Sequence, residues 1–298
     1  MTQNITRNFN SISPSAKWLL YMKGHTSIPF ARQTAELMEF PKKFEPDYNR
    51  RDLTFWARTV HFEQRYWSVD QLLNELPIKN ILELSSGFSF RGLEKAKQKG
   101  VHYIDTDLPD VINTKKEFIT SLQKENVNLQ GKLELLPLNA LDENQFHEIV
   151  NHFPEGEIVI VNEGLLMYLD SDEKERLCKI IRYILKERGG YWITADIYIK
   201  NKLKNIQVDA RTQEFFEQHH IEENRFSSFE IAEEFFKKMG FAVEKEAKVK
   251  RSQLTAFKYL IKSITLKHFF KFYKAGKIQA TWRLRIAEEF STRLSKDE

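Results

Sequence analysis

From Asn80 onward, short apolar runs alternate with amphipathic segments, and this alternation leaves few architectures open. Ile81–Leu84, Val101–Ile104, Leu133–Leu136, Ile158–Val161, Tyr191–Ala195 and Phe241–Glu246 read as strands. Residues 90–99, Asp110–Glu125, Ser171–Lys186 and Ser228–Met239 read as helices, with Ser171 as a cap and Gly100, Gly189-Gly190 and Gly240 as stops. Ile158–Val161 is apolar on both faces, which predicts a central strand. Strand and helix in this order predict βαβ units: an α/β fold whose mostly parallel sheet is covered by helices on both faces. Upstream, Phe55, Thr59, Phe62 and Tyr66 recur at helical spacing, so residues 15–75 are expected to be helical, punctuated by Pro41 and Pro46. The predicted organisation is an N-terminal helical lid or substrate region over 1–76 and a main domain over 77–298.

Composition narrows the class. With 41% hydrophobic residues in 298, the chain has enough apolar surface to fold. A net charge of +4 is too mild to predict a nucleic-acid partner. Cys178 is the single cysteine, which excludes an internal disulfide and a thiolate metal site. No metal is expected. No apolar run approaches the roughly 20 residues of a membrane span, and a cytoplasmic location is expected.

Ligands of open parallel sheets bind beyond the carboxyl ends of the strands, so those positions hold the candidate chemistry. After the first strand, Glu83-Leu-Ser-Ser-Gly87-Phe-Ser-Phe-Arg91-Gly92 lacks both the P-loop lysine and the dinucleotide glycine spacing. Gly87 still permits close backbone approach to a ligand. Asp107 follows the second strand, twenty positions beyond Gly87, where a carboxylate suits ribose hydroxyls. Asn139 and Ala140 follow the third strand and suit an adenine edge, or else Asn139 or Asp142 caps a helix. Glu163 directly follows the most apolar strand. A carboxylate there is costly without a partner, which makes it the strongest single candidate.

These segments together resemble the leucine carboxyl methyltransferase family, which includes tetracenomycin-type polyketide O-methyltransferases. Asn162-Glu163-Gly164-Leu-Leu-Met-Tyr168-Leu169 is similar to the family's E-G-[VL]-L-x-Y-L. Asp107-Leu-Pro109 looks like its D-[LF]-P, and Leu84–Arg91 looks like its L-G-[AC]-G-x-D-[TS]-R. Ala57-Arg58 matches the A-R upstream of the first strand, Lys17 an N-terminal lysine, and Ala280-Thr-Trp282 the last strand. The resemblance covers about residues 15–287. It implies a Rossmann-like class I methyltransferase with a seven-stranded sheet, S-adenosyl-L-methionine as cofactor and S-adenosyl-L-homocysteine as product. Lys17 and Arg58 would then clamp the methionyl carboxylate and Ser85 and Gly87 would pass close to the methionyl part. Asp107 would bind the ribose, Asn139 and Ala140 would flank the adenine, and Glu163 would face the amino-acid end. Ser85, Ser89 and Asn139 depart from the family pattern. Ser85 stands where the family has glycine, so it either adopts an ordinary backbone conformation or is strained.

The implied function is O-methylation of a carboxylate or hydroxyl on a small molecule. The alternatives are a catalytically weakened methyltransferase-like binding protein and, behind it, a nicotinamide-dependent oxidoreductase. A carboxylate acceptor needs no base near pH 7, whereas an alcohol or phenol benefits from one. Candidates for catalytic roles are Tyr168, Asp196 and the pair His219-His220, with Arg225 as a grip for an acceptor carboxylate. His219-His220 otherwise reads as a solvated helix end.

Residues 248–298 carry thirteen Lys/Arg against four Asp/Glu. A basic helical insertion is expected at about 250–278, before the last strand. Its apolar residues from Leu254 to Phe270 share one face, favouring docking on the domain over peripheral membrane contact through 254–274.

Overall fold

The structure is a computed structural model that describes residues 13–38, 43–123, 127–200, 210–265 and 276–288. Seven strands form one sheet: β1 (Asn80–Leu84), β2 (His102–Asp107), β3 (Lys132–Pro137), β4 (Ile158–Asn162), β5 (Gly190–Tyr198), β6 (Phe241–Glu246) and β7 (Gln279–Ile286). Their order is β3-β2-β1-β4-β5-β7-β6. Strands β1 to β5 run parallel, and β7 enters antiparallel between β5 and β6. The architecture is the expected α/β one, Rossmann-like and mostly parallel. Its order reverses between β1 and β4, which opens the ligand crevice of such sheets at their carboxyl ends.

The helices are α1 (Ser13–Lys23), α2 (Ala31–Leu37), α3 (Leu53–Asn74), α4 (Arg91–Lys95), α5 (Pro109–Gln123), α6 (Glu143–Val150), α7 (Ser171–Arg188), α8 (Ala210–Gln218), α9 (Phe229–Lys238) and α10 (Phe257–Ser263). One apolar core joins β1, β4 and β5 to α6, α7 and α9 through residues such as Ile160, Phe146, Ile181 and Phe236. On the other face, Val69 and Leu72 of α3 cover Ile81, Val159 and Ile193. Helix α3 therefore lies beneath the N-terminal helices and against the sheet at once, which lets its side chains reach the strand ends.

Local chemistry explains where the elements depart from expectation. Helix α7 is capped by Asp170, not Ser171: the Asp170 carboxylate accepts from the Glu173 N–H while the Glu173 side chain accepts from the Asp170 N–H, both at 2.9 Å. Gly190 follows with φ 104, and a Cβ there would meet the Ile158 carbonyl oxygen at 2.0 Å. Helix α4 stops at Lys95 rather than 99, because the Ala96 carbonyl accepts the N–H groups of Gln130 and Gly131 on the approach to β3.

The basic region after β6 is only partly helical where described. A 3₁₀ turn at Arg251–Gln253 leads to α10, and residues 266–275 lie outside the described residues. Leu254 and Leu260 are buried against Met22, Phe55, Trp56 and Val60, while Ile261 is 52% exposed and so leaves the expected apolar face. The fully buried Glu63 of α3 accepts from the N–H groups of Thr255 and Ala256, both at 2.8 Å. Two charge-assisted bonds and an apolar seam thus dock this segment on α3. Among the described residues no helix is long and apolar enough to cross a membrane.

Candidate active site at the carboxyl edge of the sheet

Register lines up the strand ends. Leu84 pairs with Asn162, Asp107 with Pro137, and Asn162 with Thr194. Ser85, Asp107, Asn139 and Glu163 consequently stand along one edge.

The turn after β1 is left-handed at both Ser85 (φ 49) and Gly87 (φ 51), so Ser85 is the strained alternative of the two expected. The Gly87 N–H donates to Asp107 Oδ2 and the Leu108 N–H to Oδ1, each at 2.7 Å. These two bonds fix the Asp107 carboxylate across the gap between β1 and β2 and leave each oxygen a further lone pair. Burial pushes this carboxyl above its ordinary value, against the two N–H donors. Asn139 is exposed, and its Oδ1 accepts from the Leu141 N–H at 3.1 Å in an Asx turn, while Ala140 is buried. The cap of α6 is Asp142, which accepts from the Gln145 N–H.

Glu163 is the centre of the charge pattern. Its side chain is 4% exposed and pairs with Lys23 at 2.8 Å, Arg65 at 3.3 Å and Arg91 at 2.7 Å. Burial opposes ionisation, but these three cations overcome it and hold the carboxyl far below its ordinary value. Arg91, fully buried, also bonds Asp70 at 2.9 Å and Glu83, and Asp70 in turn pairs with Lys95 at 3.1 Å. Four cations thus face three carboxylates, a surplus of one positive charge.

Two of the expected cations are not at this centre. Lys17 is exposed on α1, and the lysine on Glu163 is Lys23, at the end of the same helix. Arg58 is half-buried on α3, and the arginine on Glu163 is Arg65, seven residues and about two turns further along. A signal for these was present: Glu63, Arg65 and Asp70 interrupt the apolar positions of α3, and buried charges on such a face need partners.

The remaining candidates separate by their bonds. Both Asp196 oxygens are committed: Oδ1 accepts from the Gly164 N–H at 2.6 Å, and Oδ2 from Leu165, Leu166 and the Asn162 side chain. Asp196 therefore holds the loop that carries Glu163 and is not placed as a proton acceptor. Tyr168 is half-buried, its hydroxyl 3.4 Å from Ser15 Oγ, and burial raises its pKa. His219 is buried against the Phe215 ring at 4.5 Å rather than solvated, whereas His220 is exposed.

A second polar chain was not anticipated. Arg65 Nη1 donates to the Tyr198 hydroxyl at 3.1 Å, and that hydroxyl lies 2.7 Å from His61 Nε2. The Tyr198 hydroxyl thus accepts from Arg65 and shares a second hydrogen bond with His61 Nε2, whose direction is set by the imidazole tautomer. Burial, reinforced by Arg65 and Arg225, lowers His61 to about 3, and burial raises Tyr198 despite Arg65. Beside Tyr198, Arg225 Nη1 pairs with Glu222 at 2.5 Å.

Two shallow clefts lie at the opposite, amino end of the sheet, one of about 320 Å³ lined by Pro77, Asn80, Pro154 and Glu157. Lys95 lines the second, but neither is lined by Asp107, Asn139 or Glu163. Among the described residues no group of His, Cys, Asp and Glu is arranged to hold a metal.

A family model described as leucine carboxyl methyltransferase matches residues 12–182. Solved structures with similar folds include the mitomycin 7-O-methyltransferase MmcR (15% identity, 70% of this chain, 49% of that chain, TM-score 0.41). Another is an O-methyltransferase family protein from Burkholderia thailandensis (15% identity, 79% of this chain, 59% of that chain, TM-score 0.46). A third is the magnesium protoporphyrin IX methyltransferase ChlM from Synechocystis PCC 6803 with bound SAH (8% identity, 88% of this chain, 95% of that chain, TM-score 0.46). The chain spans about half the length of the first of these. No curated protein matches.

Proposed function

The chain belongs to the leucine carboxyl methyltransferase family, and from that premise we propose that it is an S-adenosylmethionine-dependent O-methyltransferase acting on a carboxylate or hydroxyl of a small molecule. The observation that carries the reading is Glu163, held at the end of β4 by Lys23, Arg65 and Arg91.

The residues fit the cofactor's chemistry. The surplus positive charge around Glu163 suits a methionyl carboxylate, received by Lys23 and Arg65, while Glu163 suits the ammonium. Asp107 keeps lone pairs for ribose hydroxyls, and Asn139 and Ala140, after β3 on the same edge, would flank the adenine. The Tyr66 hydroxyl is buried without a hydrogen-bond partner among the described residues, beneath Arg91 at 4.3 Å from its ring, and supplies one more donor. Ser85 and Gly87 shape the turn that passes the methionyl chain.

S-adenosylmethionine, when bound, supplies a methyl group already activated on a sulfonium. The protein's share is then to orient the acceptor in line with that methyl and keep water out. Proton removal is poorly served here. Asp196 is spent on the loop, Tyr168 and Tyr198 hold their protons, and His61 is a weak base. An acceptor ionised before it arrives suits this site, which favours a carboxylate over an alcohol.

Differential scanning with S-adenosylhomocysteine and with NAD tests the proposal. At one hundred times its dissociation constant the former should stabilise the chain by about 2.7 kcal/mol. Stabilisation by NAD alone, or by neither, refutes it.

A further inference from the structure

Helix α5 buries Val111, Ile112, Ile119 and Leu122, and on the same face it buries a lysine, Lys115, completely. An ammonium out of water is costly without partners. Lys115 has two. Its Nζ donates to Ser86 Oγ at 2.9 Å and lies 3.0 Å from Asp105 Oδ2, a carboxylate fully buried on β2. Neither Lys115 nor Asp105 is exposed at the carboxyl edge, so this ion pair cannot itself receive a ligand.

What Lys115 holds is the middle of the turn after β1. Ser86 stands between Ser85 and Gly87, both left-handed, and a non-glycine residue keeps that conformation only where its surroundings over-determine it. The surroundings here are specific. The Ser86 N–H donates to the Thr106 carbonyl at 2.9 Å, the Thr106 hydroxyl donates to the Glu83 carbonyl at 2.8 Å, and Lys115 binds the Ser86 hydroxyl from below. The next N–H along the turn, that of Gly87, is one of the two donors that orient the Asp107 carboxylate, at 2.7 Å. A continuous path therefore runs from α5 to the ribose-facing group: Lys115, Ser86, Gly87, Asp107. We propose that Lys115 is a positioning residue for cofactor recognition, locking through Ser86 the strained turn whose Gly87 N–H aims Asp107 at the ribose hydroxyls. This rests on the methyltransferase reading of the site and adds to it how this chain, with Ser85 in place of a glycine, keeps its ribose contact in register.

The probes are S-adenosylhomocysteine, adenosine and 2′,3′-dideoxyadenosine, titrated into the full chain by calorimetry and ligand-observed NMR. Wild type should bind adenosine about tenfold more tightly than the dideoxy compound, which lacks both ribose hydroxyls. The double variant K115M/D105N removes the buried pair together, so that no charge is stranded, and should lower that preference to about twofold. Ser86→Ala leaves the Lys115–Asp105 pair in place, cuts only the link to the turn, and should lower the preference likewise. In an Asp107→Ala background, Ser86→Ala should change S-adenosylhomocysteine affinity by no more than about twofold, because the group it acts through is gone. A merely structural role would lower the melting temperature and leave the ribose preference where it was. A preference that stays near its wild-type value in either variant, or a cost of Ser86→Ala that persists in full without Asp107, overturns the assignment. Circular dichroism checks that each variant is folded, and Ser86→Ala carries the test if the double variant is not. Wild type that binds S-adenosylhomocysteine but does not distinguish the two nucleosides overturns this assignment alone. Wild type that does not bind S-adenosylhomocysteine refutes the methyltransferase reading, and this assignment with it.

Discussion

Replacing Glu163 by Gln tests the charge cluster on which the site is built. The substitution keeps the shape of the side chain and removes its charge from among Lys23, Arg65 and Arg91, all nearly fully buried. Arg91 retains Asp70 and Glu83, whereas Lys23 and Arg65 lose their carboxylate partner. Breaking a buried ion pair by neutralising one member costs about 3–5 kcal/mol. At roughly 2–4 °C per kcal/mol, melting should fall by roughly 6–20 °C. Lys23→Met removes the cation with the shortest contact to one Glu163 oxygen. The double variant should recover about 1–3 kcal/mol relative to the sum of the single costs, because the charges left stranded are removed together. The pH dependence has a definite sign. Glu163 ionises more readily folded than unfolded, where its ordinary value is 4.5. Its contribution is therefore complete above that value and declines as pH falls below it. Between pH 7 and 3.5 the gap between wild type and E163Q should narrow by about 1.4 kcal/mol. Urea unfolding followed by tryptophan fluorescence measures all of these quantities. Single costs that add to within about 0.5 kcal/mol, or a gap that does not change with pH, would refute the reasoning.

Asp107→Ala should weaken S-adenosylhomocysteine binding at least tenfold by calorimetry; an unchanged dissociation constant removes Asp107 from the site. His61 is held to about 3 when folded against an ordinary 6.5, so the unfolded chain takes up its proton first and stability falls as pH drops below 6.5. His61→Gln should abolish about 2 kcal/mol of the loss between pH 7 and 5 in urea titrations. Ser85→Val places a β-branched residue at φ 49 and should cost about 1–3 kcal/mol, whereas Ser85→Gly should lie within about 0.5 kcal/mol of wild type. Equal melting temperatures for the two variants would show that the turn relaxes. Asp196→Ala strips the acceptor from three backbone N–H groups and should destabilise the chain by about 3 kcal/mol in the same titration.

The sequence by itself determined six of the seven strands, a mostly parallel arrangement and the positions at their ends. Runs that are both apolar and β-branched, such as Ile158–Val161, favour a buried strand, and a carboxylate that follows one is marked by its cost. Glu163 and Asp107 were legible for that reason. Tertiary structure decided which cations meet Glu163. Lys17 and Lys23 share α1, and Arg58 and Arg65 share one face of α3 two turns apart, so membership of a helix does not by itself say which of each pair reaches the strand ends. The choice depends on how far each helix slides along the sheet, set by apolar seams such as Val69 and Leu72 over Val159 and Ile193. The same holds for Asp196, whose place after a strand suits a base as well as an anchor until the N–H groups of residues 164–166 are seen to converge on it. Local chemistry is written in the order of the residues, whereas pairing between distant charges is settled when packed surfaces bring them within bonding distance.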